Sequence, residues 1–430
     1  EDDNEDLKPL FETIVEHVPP PEQDETGSFK MLVSSVDWND YVGRIAIGRV
    51  EQGVLKQNQN IVLVNRQGEE IDRSKATKLY TYKGLKREPV EEVKAGDIIA
   101  LAGYEEVNIG NTIAVPQDIT PLDYFDIDQP TIAMFFRVNT SPFAGKEGKY
   151  VTSNMIKDRL YRELETNVSL RVEQTENPDI YKVSGRGELQ LSILIETMRR
   201  EGFEFAVSRP EVLYKEIDGE VYEPFEEVVV DVNGDYSSKV IDNLQQRKGL
   251  MTSMIPEGDN VRMTFSVPSR GLIGFRGEML TETRGTGIMH QQFESYEPYA
   301  GEIPGRTSGA LVALEQGQAT PYALEKVKDR GQFLVEPGDP IYSGQVIGIN
   351  NRSDDLVVNL AKKKNLTNHR ETQSQDAVKL SEAKKMSLEQ NIEFIDDDEL
   401  LEVTPKSLRI RKKYLDHNER KRQNKKKVEA

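Results

Sequence analysis

Residues 131–210 constrain this chain more than any other stretch, because six segments of strand or helix periodicity follow one another there in a fixed order. Thr131–Val138 is an apolar run that reads as a strand. Ser153 stands where it can cap a helix, and Ile156, Leu160 and Leu164 recur every fourth position, the spacing of one helical face. Val168–Glu173 and Ile180–Ser184 read as two strands. A second helix carries Leu189, Ile193, Leu194 and Met198 and stops at Gly202, where a left-handed C-cap costs least, before the short strand Phe203–Val207. The order β-α-β-β-α-β is a split βαβ unit.

The same order returns downstream without shared sequence. Phe225–Val232 (strand), Ser237–Lys248 (helix), Met251–Ile255 and Val261–Val267 (strands), Arg270–Leu280 (helix) and Ile288–Phe293 (strand) give a second such unit. Ahead of the first unit the texture differs. Between Gly27 and Pro116, short alternating strands broken by glycines and polar turns predict a small closed antiparallel barrel. Beyond Glu297, strands and glycine turns resume at Ala310–Glu315, Tyr322–Leu324, Gly331–Val335, Gly344–Ile349 and Asp355–Asn359. Ser387 and Gln390 have the spacing of a capping box, Leu408–Arg411 alternates like a last strand, and Tyr414 onward reads as a basic helix or a disordered tail. The fold class is therefore multidomain α+β: an antiparallel β-barrel, two split βαβ (ferredoxin-like) units, and a β-rich C-terminal domain with short helices. The boundaries fall at 27–118, 128–208, 222–297 and 298–430, after an N-terminal helix and proline linker in 1–20.

Composition narrows the function classes. At 430 residues the chain exceeds one ordinary core. It has no cysteine, which removes disulfides, thiolate nucleophiles and zinc–cysteine sites together, and no apolar run reaches the roughly 20 residues that span a bilayer. A soluble cytoplasmic protein is expected. The net charge of −18 opposes indiscriminate binding to a polyanion, but the cations are unevenly placed: Lys406–Ala430 holds eleven Lys or Arg against three acids.

Candidate catalytic sites mostly fail on spacing. Gly145-Lys146 and Gly148-Lys149 resemble part of a phosphate loop, but Tyr150 follows the second pair and Phe143 stands where an earlier glycine belongs. The four histidines lie far apart, and Asp396-Asp397-Asp398-Glu399 lacks the alternating ligands and central glycine of a calcium loop. Gly185-Arg186-Gly187 and Arg284-Gly285-Thr286-Gly287 are open to two readings, an anion nest or a tight turn. The segment Lys362–Asp376 reads as an exposed loop. Within it Lys362, Lys363, Lys364 and Arg370, with Asn365 and Asn368 and no acid before Arg370, suit phosphate and sugar contacts; Arg409, Arg411, Lys412 and Lys413 are expected to assist.

The segments Val138–Lys149, Ser184–Leu191, Met198–Pro210, Pro268–Arg276 and Phe394–Pro405 resemble the signatures of the BipA/TypA family of ribosome-associated translational GTPases, and the resemblance covers essentially the whole chain. It implies that the barrel corresponds to a translation-factor domain II, the two split βαβ units to domains III and V, and residues 298–430 to a family-specific C-terminal domain. Elongation factor G differs, because it places a further domain where Val207 and Phe225 are here joined by a short connector. The resemblance also implies GTP-dependent ribosome binding, stress adaptation and large-subunit assembly, with contacts to rRNA, ribosomal proteins and the tRNA acceptor arm. No Walker-type loop, Asp-x-x-Gly switch or Asn-Lys-x-Asp motif can be quoted, and Glu5–Val18 resembles the last helix of a GTPase domain. The expectation is a monomeric chain that lacks its GTPase domain, is not itself an enzyme and holds no cofactor, GTP and magnesium belonging to the missing domain. An acidic protein–protein scaffold without RNA contact is the alternative.

Overall fold

The computed structural model describes residues 7–19, 24–39, 43–84, 86–124, 129–164, 166–167, 169–303, 305–306, 308–362 and 382–429. The chain divides into two compact units, residues 1–127 with 162–168 and residues 128–161 with 169–430.

The first unit opens with the helix Lys8–His17, none of whose residues is buried. Its main sheet runs Glu70–Lys75, Asn60–Val64, Thr112–Ala114, Lys30–Leu32, Gly43–Gln52, Ile98–Ala102, Lys78–Lys83, Lys86–Val90, and Ser35–Asn39 also pairs with Gly43–Gln52. The strands wrap a core that includes Met31, Leu55, Ile61, Leu63, Leu101 and Ile113. The expected closed barrel is corrected here: among the described residues the outermost strands, Glu70–Lys75 and Lys86–Val90, do not pair with each other. Both expose charged side chains, and Pro89 removes a backbone donor, features that protect a free edge.

The second unit begins with the first predicted βαββαβ. Its elements are β1 (Ile132–Arg137), α1 (Ser153–Glu163), β2 (Arg171–Gln174), β3 (Ile180–Gly185), α2 (Glu188–Glu201) and β4 (Phe205–Val207). All pairs are antiparallel, in the order β2-β3-β1-β4. One face of the sheet, with Met134, Phe136, Tyr181, Val183, Phe205 and Val207, is buried. Ser153 does not cap α1: its hydroxyl goes to the Pro178 carbonyl and Tyr181, while Thr152 Oγ1 accepts from the Met155 N–H at 3.5 Å. At the far end of α2, Gly202 takes the expected left-handed conformation, φ 99°.

The second βαββαβ comprises β5 (Glu220–Asn233), α3 (Gly234–Gln246), β6 (Leu250–Glu257), β7 (Asn260–Pro268), α4 (Phe275–Glu282) and β8 (Ile288–Pro298). Its order is β8-β5-β7-β6, the same arrangement. The predicted helix Arg270–Leu280 is broken: Ser269–Leu272 forms one turn and α4 starts afresh after Gly274, which turns left-handed.

After Glu297 a four-stranded sheet orders Gly331–Phe333, Val346–Asn350, Ala310–Ala313 and Leu356–Val358, with the last two parallel. Tyr322–Leu324, expected as a strand, lies in the helix Pro321–Val327. Next come α5 (Leu388–Phe394), whose Ser387–Gln390 capping box is formed as predicted, then β9 (Glu399–Val403), β10 (Leu408–Lys412) and α6 (His417–Glu429). Local periodicity carries no sign of where β9 and β10 go. They extend the first βαββαβ sheet, Phe205 pairing with Val403 and Val207 with Leu401.

Candidate nucleic-acid interface

Joining β9 to β4 brings three carboxylates together, two of them fully buried and Glu147 partly so. Glu402 is fully buried and accepts hydrogen bonds from Tyr342 Oη (2.7 Å), Asn139 Nδ2 (3.0 Å), Arg409 Nη1 (3.0 Å) and Ser141 Oγ (3.1 Å). Glu204, also fully buried, accepts from Asn139 Nδ2 (2.9 Å) and from the backbone N–H groups of Gly145 (2.8 Å) and Gly148 (2.9 Å). Glu147 completes the set, bonded by Thr404 Oγ1 and Arg409; burial alone would raise its pKa, but these bonds outweigh that and lower it. The loop after β1 therefore does have backbone donors converging on an anion. The anion is Glu204, so this loop offers no cradle for a nucleotide phosphate.

The other two glycine turns are likewise occupied. The Arg186 N–H donates to Gln190 Oε1 at 2.8 Å, and the Gly285 N–H closes the end of α4 onto the Leu280 carbonyl at 2.7 Å. Among the described residues no group of His, Asp or Glu is arranged to hold a metal ion.

The expected RNA-binding cations separate into three sets. Lys363, Lys364, Asn365, Asn368 and Arg370 lie outside the described residues. Lys362 and Lys413 are exposed, with Lys362 contributing its carbonyl to Thr320 Oγ1 at 2.7 Å. Arg409, Arg411 and Lys412, in contrast, are interior, which corrects their reading as free contacts for phosphate. Arg409 is tied to Glu147 and Glu402. Arg411 is 2% exposed and bonds Thr140 Oγ1 at 3.0 Å; burial and the neighbouring Arg137 lower its pKa despite Tyr342 and Glu402. Lys412 is 2% exposed and reaches Glu399 Oε1 (3.0 Å), Asp398 (3.0 Å) and Asp355. Burial opposes its charge, yet these carboxylates prevail and raise its pKa.

Sequence reasoning missed the acids that hold these cations, and also Arg306, which donates to both oxygens of the buried Glu399 at 2.9 and 3.1 Å. One signal was available: Glu399 and Glu402 interrupt an apolar strand, and buried carboxylates demand partners. Beyond the sheet, Asp416 caps α6 through the N–H groups of Asn418 and Glu419, both at 2.9 Å. The helix exposes Lys421, Arg422 and Lys425.

Comparison with known proteins places this architecture. Residues 43–114 match Elongation factor Tu domain 2, residues 220–307 match Elongation factor G C-terminus, and residues 308–417 match the TypA/BipA C-terminal domain. A curated relative from Salmonella typhimurium, named large ribosomal subunit assembly factor BipA, is 49% identical over 426 residues, covering 99% of this chain and 70% of its own. The chain belongs to the BipA family. BipA relatives of the same name from Haemophilus influenzae (49%, covering 99% of this chain and 69% of the relative) and Bacillus subtilis (48%, covering 99% and 70%) align equally far. A solved structure from Thermus thermophilus overlays with a TM-score of 0.42 at 16% identity, over 68% of this chain and 59% of its own.

These matches overturn one expectation, that of a chain that is no enzyme because its GTPase domain is absent. In fact 99% of the chain aligns with about 70% of each BipA relative. The chain thus spans about 70% of the length of these BipA relatives, and a non-enzymatic class of its own is not supported. No helix among the described residues is long and apolar enough to cross a membrane.

Proposed function

We propose that this chain acts on the ribosome, as a large-subunit assembly factor of the translational GTPase family. The observation that carries this reading is the 49% identity to BipA assembly factors sustained over 99% of the chain. Contacts to rRNA run through the exposed cations Lys362, Lys413 and the basic face of α6, together with Lys363 and Lys364, which follow Lys362 in the sequence and lie outside the described residues. The C-terminal region meets the tRNA acceptor arm, and the chain works as a monomer. GTP and magnesium enter as the family's cofactors; none of the residues placed above is assigned to them.

Sedimentation with large ribosomal subunits across a salt series tests the reading. Each phosphate engaged adds about 0.7–0.9 to the slope of log affinity against log salt, so Lys362→Ala, Lys363→Ala and Lys364→Ala together reduce the slope by roughly two to three. Binding that is absent at low salt, or insensitive to salt, defeats the RNA-contact reading and leaves the acidic scaffold. Crosslinking from a photoreactive group at position 413 reports whether tRNA or rRNA lies nearby, and light scattering reports the monomer.

A further inference from the structure

The face of the first βαββαβ sheet opposite its helices carries a second set of groups that the family comparison does not assign. Strand pairing places Ile180, Arg137, Ala206 and Glu402 in one row across this face. Phe135 lies in the row two residues along, beside Lys182. On the β9 side Glu402 is sealed into the interior, but on the β3 side the face opens into a cleft of about 430 Å³. That volume falls within the range of about 300–1,000 Å³ typical of small-ligand sites.

Three properties of the cleft converge. Its floor is apolar, formed by Phe135, Ile180 and Leu400. Two cations, Arg137 and Lys413, stand on its walls, and among the described residues neither side chain has an ion-pair partner. Arg137 is half-buried, so its guanidinium has lost part of its hydration without gaining a carboxylate, which is unusual for a charge in that position. Burial lowers its pKa, and the one acidic neighbour acting on it is the Tyr414 phenol. At the mouth, Glu176 and Asn177 are exposed, and Asn177 Oδ1 accepts from the Asp179 N–H at 3.0 Å.

We propose that this cleft binds a nucleoside phosphate, the phosphate held by Arg137 and Lys413 and the base laid on the Phe135–Ile180–Leu400 floor. A bare inorganic anion fits less well, since it leaves the apolar floor uncovered and meets the Glu176 carboxylate. A nucleoside presents ribose hydroxyls and base amino groups that Glu176 accepts. Stacking on an apolar floor next to a guanidinium tolerates any base, so recognition is of a nucleotide and not of a sequence. The nucleotide has two possible sources, an unstacked residue of RNA or a free mononucleotide. The RNA source rests on the proposed ribosomal function; the free-nucleotide source does not.

Fluorescence anisotropy of labelled hexauridylate with the full chain, with AMP as competitor, tests the inference. Expected is binding that AMP displaces and that Lys413→Glu weakens roughly tenfold, the order of one charge-assisted hydrogen bond, with the salt slope reduced by about 0.7 for the phosphate released. Arg137→Gln acts in the same direction, and because Lys413 is exposed its variant decides the matter even where Arg137→Gln loses the fold. Hexauridylate bound and displaced by AMP assigns the RNA source; AMP bound with hexauridylate excluded assigns the free nucleotide. The inference is overturned if neither probe binds, if Lys413→Glu leaves affinity and salt slope unchanged, or if AMP does not displace hexauridylate, which indicates surface phosphate contact alone. Subunit sedimentation that persists alongside such a result leaves the ribosomal function standing while this site falls.

Discussion

The two βαββαβ sheets share one strand order but have different neighbours. In the first, β4 pairs with β9 and β9 with β10, and the loop after β1 is stitched to this extension by Glu147, Glu204 and Glu402. In the second, β8 is an edge among the described residues and β6 is exposed along its whole length. Their charged groups differ in part. The carboxylates Glu204 and Glu402 of the first are fully buried and multiply bonded; the second buries Glu223 against Arg270 but also carries an open cross-strand pair, Arg262 with Asp231, at 2.8 and 3.1 Å with the arginine half exposed. The same topology thus serves once as a frame extended by later strands and once as a sheet whose outer strands stay open, and the difference resides in side chains, not strand order.

Removing one carboxylate from each sheet is the most severe way to break this comparison. Glu402→Ala leaves Tyr342 and Ser141 without their acceptor in the interior and Arg409 with Glu147 alone, so the unfolding free energy is expected to fall by about 3–5 kcal/mol. Asp231→Ala is expected to cost less than about 1 kcal/mol, the value of a solvent-screened pair. Urea titrations giving equal losses would erase the distinction.

Two glycines give the next largest contrast. A Cβ on Gly148 would lie 2.3 Å from Glu204 Cβ, whereas one on Gly202 meets nothing closer than 3.7 Å and only the left-handed φ opposes it. Gly148→Ala is therefore expected to cost about 1–3 kcal/mol or more through overpacking, and Gly202→Ala about 1 kcal/mol. Read from sequence alone, Gly202 is the more demanding position, and differential scanning calorimetry of the two variants decides between these orders.

A third contrast depends on pH. Glu188 from α2 and Glu393 from α5 face Glu389, Glu278 of α4, the Arg247 guanidinium and the Gly274 N–H. Burial, reinforced by the neighbouring carboxylates, pushes both up to about 7 from 4.5. The folded chain thus holds protons that the unfolded chain releases, and the stability linked to them is complete below about pH 4.5 and lost as pH rises through 7. Replacing both with Gln is expected to flatten the urea midpoint between about pH 5 and 8; a midpoint in the parent chain that does not fall over this range contradicts the assignment.

Much of the architecture was legible because each βαββαβ is written in local periodicity, and the first is punctuated by Gly202. The join of β9 to β4 was not, since Asn139 and Glu402 are 263 residues apart and no local pattern encodes their hydrogen bond. The same distance explains the mistaken reading of Arg409–Lys412. Along the sequence these residues form a basic run, but folding brings Glu147, Asp355, Glu399 and Glu402 against them and consumes their charge internally. Lys413, one residue further on, escapes because the strand has ended.

The order in which a ribosome delivers these strands has its own consequence. Arg199 at the end of α2 bonds the carbonyl of Thr404, 205 residues later, so the first sheet emerges long before the strands that complete it. At about 5–20 residues per second, the wait is roughly 10–40 s. Throughout it the nascent chain presents β4 as an unfinished edge, with Glu204 beside it and Glu147 not yet supplied with the Arg409 cation. A chain arrested or cleaved in that window ends with its central sheet open to wrong pairing, and folding fidelity depends on the last stretch of the polypeptide arriving.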